Sequence, residues 1–382
     1  MSTAPARWHT ARIAIVACAG SLLASCAAAP SQPATPAQAP PPVAAPAPAP
    51  APAPKSLRPF DIAAVGDLML GTTFPEDDYD RLPPDDGKGT FADTASILGA
   101  ADIAFGNLEG VMRDGGEPFK VCKNPAFCYL FRMPARYVKL LVDAGFDVMS
   151  LANNHARDFG EDGRSESMRI LDEAGILHSG REGDVASWQV KDSRVALIAF
   201  APNPGSHSLL DIPAAAALVS GLASDHDVVI VSFHGGAEGP DSLHVVDGME
   251  LFHEEERGDL IAFAHAVIDA GADLVIGHGP HVPRALEVYR ERLIAYSLGN
   301  FATALGISIE GDKGLAPILL ATLSGDGRFV EGRVVSTRQV RPIGPRLDPG
   351  AEAFDLIRRL SVQDRGDAAP AFAEDGSFTP AR

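Results

Sequence analysis

The chain has 382 residues, of which 46% are hydrophobic and 21% are charged, and this ordinary globular composition excludes wholesale disorder. Its formal net charge of −18 gives a surface that repels phosphate backbones, which argues against a general nucleic-acid binder. Eleven of the 31 prolines fall between Pro30 and Pro54, so the composition of that segment differs from that of the remaining chain.

The N-terminal segment has the pattern of a bacterial lipoprotein signal. Arg7 and Arg12 come before an apolar run at 13–23 that is too short to span a bilayer as a helix; a buried N-terminal helix is the alternative. The run continues into Leu-Ala-Ser-Cys, which looks like the lipobox that places the lipid on Cys26. We therefore expect residues 1–25 to be removed. The exported protein would then be anchored in the cell envelope by its lipid, on a periplasmic or outer-facing surface.

Residues 26–58 are predicted to be a linker between the lipidated cysteine and the folded part. Residues 30–54 are almost wholly proline and alanine, so they cannot bury a core and they favour the polyproline II conformation. A spacer that reaches across a cell-wall layer and a passive linker both fit this composition.

Two cysteines remain once Cys18 leaves with the signal and Cys26 carries lipid. In an oxidising compartment, the close pair Cys122 and Cys128 favours a disulfide. Half of a zinc site is the alternative, although no second pair of Cys or His residues lies nearby in the sequence to complete it. We predict the disulfide.

From residue 60 onward, strands and helices alternate along the chain. Short apolar runs predict strands, and apolar residues at helical spacing predict helices. The predicted strands are 62–65, 101–105, 146–151, 195–200, 228–233 and 274–276, and the predicted helices are 137–143, 168–174 and 260–270. Two hairpins follow, 285–289 with 293–296 and 318–323 with 329–335. This order predicts an α/β fold that becomes antiparallel near its C-terminal end.

Polar side chains lie where the predicted strands end. In open α/β sheets, these ends converge on one crevice in which ligands bind. A single Asp or Asn at such a position is usually a turn residue or a helix cap, but five strand ends that each carry a candidate ligand favour a metal site. Carboxylate, amide and imidazole groups together suit Mn, Fe or Zn. These residues are Asp67, Asn107, Glu109, Asn154, His155, His234, His278 and His281.

The same positions carry six motifs that resemble, in order, those of the CapA (PgsA-like) family of capsule and poly-γ-glutamate synthesis proteins. The resemblance covers about residues 60 to 340. It implies a four-layer α/β/β/α sandwich of the metallophosphatase-like kind, related to calcineurin-like phosphoesterases, at residues 59–340, with a C-terminal extension at 341–382. The motifs are Gly66-Asp67, Gly106-Asn107-Leu108-Glu109, Ser150-Leu151-Ala152-Asn153-Asn154-His155, His234-Gly235-Gly236-Ala237-Glu238, Gly277-His278-Gly279-Pro280-His281-Val282 and Tyr296-Ser297-Leu298-Gly299-Asn300-Phe301.

The resemblance also implies roles for individual residues. His155 corresponds to the histidine that protonates the leaving group in phosphoesterases. Two positions depart from the phosphoesterase pattern: Met69 stands where a histidine is usual, and Asn107 replaces the bridging aspartate. Both changes reduce the set available for a two-metal site. The implied metal ligands are Asp67, Glu109, Asn154, His234, His278 and His281, and the other site residues are Asn107, Asn153, Glu238 and Asn300.

The resemblance implies a protein anchored in the cell envelope that acts in capsule or poly-γ-glutamate synthesis. It also implies a metal-dependent hydrolase site for a phosphoester or an anionic polymer. The alternative is a non-catalytic accessory subunit that binds the polymer or its membrane synthase. Because like charges repel, the acidic surface argues against a broad polyglutamate-binding face on such a subunit unless a metal or a local basic pocket intervenes. The candidates for that pocket are Arg132, Arg136, Arg157 and Arg164.

Overall fold

Two β-sheets lie face to face at the centre of the fold. The computed structural model describes residues 58–75, 81–121, 129–304 and 306–381. The first sheet has nine strands in the order β21-β22-β18-β17-β1-β2-β5-β6, with β16 beside β1. They are β1 (Phe60–Met69), β2 (Ile103–Leu108), β5 (Val148–Ser150), β6 (Leu177–Ser179), β16 (Asn300–Thr303), β17 (Ile318–Leu323), β18 (Phe329–Val335), β21 (Ala371–Phe372) and β22 (Ser377–Thr379).

The second sheet has seven strands in the order β14-β15-β13-β10-β8-β7, with β9 beside β8. They are β7 (Ala186–Val190), β8 (Ser193–Ala201), β9 (His207–Ser208), β10 (Val228–His234), β13 (Leu274–His278), β14 (Leu286–Tyr289) and β15 (Arg292–Ala295). Strands β8, β10, β13 and β15 are parallel, as are β1, β2, β5, β6 and β16 in the first sheet. Each sheet therefore has a parallel centre whose strands end on the same side.

Three two-stranded ribbons and six helices complete the described part of the chain. The ribbons are β3 (Val111–Met112) with β4 (Arg132–Met133), β11 (Glu250–Phe252) with β12 (Glu255–Gly258), and β19 (Thr337–Val340) with β20 (Gly344–Leu347). The helices are α1 (Ala95–Leu98), α2 (Val138–Ala144), α3 (Gly160–Glu173), α4 (Ile212–Asp225), α5 (Leu260–Asp269) and α6 (Glu352–Arg365). Short 3-10 turns lie at Pro84–Gly87, Ala135–Tyr137, Pro240–Ser242, Gly311–Gly314 and Gly366–Ala368.

The helices and sheets form four layers with three main buried cores between them. Along β1, Ile62 and Ala64 belong to the core between the sheets, whereas Ala63 and Val65 belong to a second core beneath α1, α2 and α3. A third core joins the outer face of the second sheet to α4 and α5. Because successive strand residues point to opposite faces, a sheet covered on both sides needs the continuous apolar runs found in its central strands. The predicted α/β/β/α sandwich is confirmed.

Two aspartates begin the helices on the second sheet. The Asp211 carboxylate accepts a hydrogen bond from the Ala214 amide at 3.1 Å at the start of α4, and Asp259 accepts one from Ala262 at 3.0 Å at the start of α5. Each cap pairs an amide that has no partner within the helix. This anchors the helices at the point where the chain leaves a strand.

The predicted strands and hairpins are present, but the sequence analysis did not predict α4 and α6. Helix α6 buries Ala353, Phe354, Leu356, Ile357 and Leu360, a helical spacing that is readable in the sequence. It packs beside β14 and β18, and β22 pairs with β18, so the segment predicted as a C-terminal extension contributes to this fold. Helix α3 begins at Gly160, eight residues before the predicted start. The prediction missed its first two turns because their polar residues show no apolar spacing.

The lipidation site at Cys26 and the predicted disulfide between Cys122 and Cys128 lie outside the described residues. Among the described helices, we find none with the length and apolar character needed to cross a bilayer.

We expect Gly66→Ala to destabilise the fold by several kcal/mol. A Cβ atom at Gly66 would lie 2.1 Å from the Gly299 carbonyl oxygen, and both groups are backbone that cannot move aside cheaply. Gly221→Ala is the matched control, because its Cβ would meet nothing within 4 Å and alanine favours helix α4 by about 1 kcal/mol over glycine. Denaturant unfolding of both variants measures the difference. Equal stability of the two would contradict the close approach at Gly66.

Candidate metal site

The carboxyl ends of the two sheets meet in one crevice. Asp67 pairs in register with Asn107 in the first sheet, and His234 pairs with His278 in the second. The Asn107 side-chain amide joins the sheets, since its Nδ2 lies 2.8 Å from Asp67 Oδ1 and 3.3 Å from His234 Nδ1. The predicted convergence of strand ends is therefore present across both sheets.

Three side chains offer a compact set of metal-ligand atoms. One ligand atom each from Asp67, Glu109 and His281 lies within 4.8 Å of the others. His281 Nδ1 is 3.1 Å from Asp67 Oδ2 and 2.9 Å from Asn300 Oδ1, and its Nε2 is 3.7 Å from Glu109 Oε1. His281 itself has a left-handed backbone with φ 60°, an uncommon conformation for a non-glycine residue that recurs at functional sites.

The charges of this cluster are strongly perturbed. Burial raises the pKa of Glu109 to about 8, and the neighbouring carboxylates of Asp67 and Glu238 add to the effect against the attraction of His281. Burial opposes ionisation of Asp67, but the neighbouring histidines, His281 foremost, together outweigh it and lower the pKa of Asp67 to about 2. The three surrounding carboxylates overcome the burial of His281 and raise its pKa to about 10. A cationic His281 thus offsets the acidic groups around it.

Several buried side-chain atoms that could bind a metal ion have no hydrogen-bond partner within the described ranges. They are both carboxylate oxygens of Glu109, Asn154 Oδ1 and His234 Nε2. Burial holds the pKa of His234 well below its usual value and so favours the neutral ring. Because Nδ1 faces the Asn107 amide, a cation could bind at Nε2 only in the tautomer whose proton lies on Nδ1. Leaving such atoms buried and unpaired costs about 1–3 kcal/mol each, more for a charged group. A divalent cation would satisfy them, so the donor set fits a metal.

Two asparagines organise the cluster through hydrogen bonds. Asn153 Nδ2 donates to Asn107 Oδ1 at 3.2 Å and to the Leu108 carbonyl at 2.9 Å. Asn107 in turn donates to Asp67 Oδ1 at 2.8 Å. Asn107 therefore acts as a hydrogen-bond donor that orients Asp67. Met69, which the resemblance placed where a histidine is expected, is buried.

His278 lies beside the cluster and faces the first sheet. Its Nε2 lies 3.1 Å from the Val65 carbonyl oxygen, and its ring packs edge-on against Phe105. Its Nδ1 is buried without a hydrogen-bond partner in the described part of the protein. The compact set of ligand atoms around Asp67 does not include His278.

His155 is held by a carboxylate on the next turn of chain. Its Nδ1 lies 2.8 Å from Asp158 Oδ2, its amide donates to Asn153 Oδ1 at 3.1 Å, and its ring lies against Phe131 with centroids 4.1 Å apart. A proton on Nδ1 shared with Asp158 leaves Nε2 as the exchanging nitrogen. Burial lowers the pKa of His155 although Asp158 opposes this, and a bound anionic group would raise it again.

The structure adds three charged residues that the sequence analysis did not single out. Asp158 is the partner of His155. The only sign of this pair in the sequence was that the two residues lie three positions apart. Lys120 Nζ lies 3.4 Å from the other oxygen of Asp158 and 3.3 Å from the Asn154 carbonyl oxygen. Arg257 is 1% exposed, and its Nη2 lies 3.0 Å from Glu238 Oε1. Nothing in the acidic sequence around Arg257 indicated this contact.

The four arginines suggested for a basic pocket are engaged elsewhere. Arg136 pairs with Asp86 at 2.6 Å, and Arg157 and Arg164 both pair with Glu161 at 2.7 Å. The Arg132 guanidinium donates to Thr73 and to the Gly116 carbonyl. The cations that contact site residues are instead Lys120 and Arg257.

The chain is similar to known capsule synthesis proteins. The family model described as "Bacterial capsule synthesis protein PGA_cap" matches residues 61–304. The capsule biosynthesis protein CapA of Bacillus anthracis is 30% identical over 278 residues, which cover 66% of this chain and 61% of that protein. The PGA biosynthesis protein CapA of Bacillus subtilis is 30% identical over 336 residues, which cover 82% of this chain and 80% of that protein.

Among solved structures, a 5'-nucleotidase precursor from Thermus thermophilus aligns over 78% of this chain and 57% of its own, with 13% identity and a TM-score of 0.37. The resemblance expected from the six motifs is confirmed by the family model and the two relatives. The chain belongs to the bacterial capsule synthesis protein PGA_cap family.

Proposed function

We propose that this protein is an envelope-anchored, metal-dependent hydrolase that acts on a phosphoester in capsule or poly-γ-glutamate synthesis. The family assignment supports a role in capsule synthesis. The observation that carries the hydrolase proposal is the cluster of Asp67, Glu109 and His281, in which both Glu109 oxygens are buried without hydrogen-bond partners in the described chain.

The cation would be held by the carboxylates of Asp67 and Glu109 and by the imidazole of His281, with His234 and Asn154 as further donors. Binding would displace the proton that His281 carries in the metal-free protein. This mixture of oxygen and nitrogen ligands suits Mn, Fe or Zn. When bound, such an ion lowers the pKa of bound water and neutralises charge on a phosphoryl oxygen. Asn107 and Asn300 keep Asp67 and His281 in place.

The proton chemistry would belong to His155. Asp158 fixes its tautomer through Nδ1, so Nε2 is free to give a proton to the leaving oxygen of a phosphoester. The negative charge of the bound substrate would favour the protonated ring, which burial alone disfavours. Lys120 and Arg257 supply positive charge beside the site in a protein whose net charge is −18.

Turnover of bis(p-nitrophenyl) phosphate by the purified protein, with and without added Mn²⁺ or Zn²⁺, tests this proposal. We expect hydrolysis that depends on the metal and disappears in Asp67→Asn, because that substitution removes one ligand charge. A protein that binds the metal but never hydrolyses a phosphoester would instead favour the role of a non-catalytic accessory subunit of the polymer synthase.

We further propose that the anchor is a lipid on Cys26, which rests on the Leu-Ala-Ser-Cys pattern after the apolar run. Cys26→Ser is expected to move the protein from the membrane fraction to the soluble fraction, because the thiol that carries the lipid is lost. Fractionation of cells that produce each form measures this shift. Equal membrane partitioning of the two forms would rule out the lipid anchor.

A further inference from the structure

Three buried charged residues converge on the loop that carries Glu238. This Glu238 loop, residues 235–242, follows β10 and brings Glu238 Oε2 to 3.8 Å from His281 Nε2. The other oxygen of Glu238 lies 3.0 Å from Arg257 Nη2. The carboxylate is therefore oriented between a buried guanidinium and the metal cluster.

Arg257 fixes the start of the loop. Its Nε donates to the Gly236 carbonyl at 3.1 Å, and its own carbonyl accepts a hydrogen bond from the Gly236 amide at 2.8 Å. The same guanidinium therefore holds both the backbone of the loop and the side chain of Glu238.

A second, bidentate pair fixes the rest of the loop. Arg284 and Glu250 are joined by contacts of 2.9 and 3.0 Å, and their side chains are 0% and 4% exposed. Glu250 Oε2 also accepts the Ala237 amide at 2.8 Å, while Arg284 donates to the Ala237 carbonyl at 3.0 Å and to the Ser242 carbonyl at 2.7 Å. The amide and the carbonyl of Ala237, the residue before Glu238, are thus both hydrogen-bonded to this pair.

Arg284 also ties the loop to the segment that carries His281. It follows His281 by three residues, and its amide donates to the Ser297 carbonyl at 3.0 Å. The Gly239 amide donates to the Pro280 carbonyl at 2.9 Å. The position of Glu238 relative to His281 is consequently fixed both by Arg284 and by the hydrogen bond from Gly239 to Pro280.

Burying charges in this way is costly, and the attraction within the pair offsets that cost only with good geometry. A loop that needed only to fold could be held by apolar side chains. We propose that Arg257 and the Arg284–Glu250 pair are positioning residues that hold Glu238 as an additional carboxylate of the metal site. This inference rests on the proposed metal site, and it assigns to Glu238 a place next to Asp67, Glu109 and His281.

Titration of the full-length, metal-stripped protein with Co²⁺, followed by visible absorption, tests the inference. Glu250→Gln keeps the volume of the side chain but removes the charge that pairs with Arg284. Substitutions that disturb the support of metal ligands typically weaken metal affinity by about 10–100-fold, so we expect at least about a 10-fold rise in Kd. Asp273→Asn is the matched control, because it breaks a pair with Arg292 that lies away from the Glu238 loop and should leave the Kd unchanged.

A double-mutant cycle separates positioning from general destabilisation. If Glu250 acts through Glu238, Glu250→Gln will change the Kd by less than about 2-fold once Glu238→Gln is present. The same 10-fold loss in both backgrounds, or an unchanged Kd with only a lower thermal midpoint, would overturn the inference. Should Glu250→Gln fail to fold, Arg257→Lys takes its place, since a lysine cannot hold both Gly236 and Glu238. A wild-type protein that binds no Co²⁺ would instead refute the metal site itself.

Discussion

Glu109→Gln is expected to weaken metal binding on the order of 100-fold and, at the same time, to stabilise the metal-free protein. Both Glu109 oxygens are buried without hydrogen-bond partners in the described structure, and the cost of burying the charge exceeds the attraction of His281. An amide of the same shape avoids that cost. If removing the charge of a metal ligand stabilises the metal-free protein, that residue is retained for metal binding and not for folding.

The stabilisation by Glu109→Gln should depend on pH in a defined direction. Because the folded pKa of Glu109 is raised to about 8 from 4.5, the folded state holds a proton that the unfolded state has released throughout this interval. The wild-type protein therefore loses stability as the pH rises from 4.5 to 8, and the variant avoids that loss. We expect an advantage on the order of 3 kcal/mol at pH 7 and about 1 kcal/mol at pH 5.

Denaturant unfolding of the metal-stripped proteins at both pH values measures this effect. Glu287→Gln is the control, because Glu287 is also a buried carboxylate but accepts hydrogen bonds from His265 and Tyr296, and its pKa is lowered. The control should lose stability and keep its metal affinity. If Glu109→Gln were also destabilising, Glu109 would be an ordinary partner within the core.

His155→Ala is expected to reduce phosphodiester turnover by about 10²–10⁴-fold while metal affinity remains that of the wild type. His155 bonds to Asp158 through Nδ1 and is absent from the compact set of ligand atoms, so its loss removes a proton donor and no metal ligand. Steady-state kinetics and Co²⁺ titration of the same preparation separate the two effects.

His265→Ala is the control for this experiment, because His265 stacks on Tyr289 and pairs with Glu287 away from the crevice. It should lose some stability and retain turnover. A His155→Ala protein that keeps full activity would remove His155 from the mechanism, and one that loses its metal would make His155 part of the metal site.

The sequence was sufficient to predict which strand ends carry the polar residues. Asp67, Asn107, His234 and His278 each follow an uninterrupted apolar run, and parallel strands of a covered sheet must end on one side. The contact between Asn107 and His234 depends on how two separate sheets face each other, 127 residues apart in the chain. No local pattern encodes that distance.

The supporting charges were harder to predict because their partners are remote in the sequence. Arg257 directly follows the acidic stretch Glu254-Glu255-Glu256, a pattern typical of a solvated surface. In the structure it is buried against Glu238. Arg284 meets Glu250 across 34 residues. Helix α6 differs from these, since its apolar spacing is local and readable; what the spacing could not show was its place beside β14 and β18.

The metal content of the protein purified from its native envelope, determined by plasma mass spectrometry, tests the central claim most directly. The geometry of Asp67, Glu109 and His281 predicts close to one Mn, Fe or Zn ion per chain, with the ion absent from Asp67→Asn purified in the same way. A wild-type protein that carries no such ion, and takes none up when incubated with each of the three metals, would contradict it.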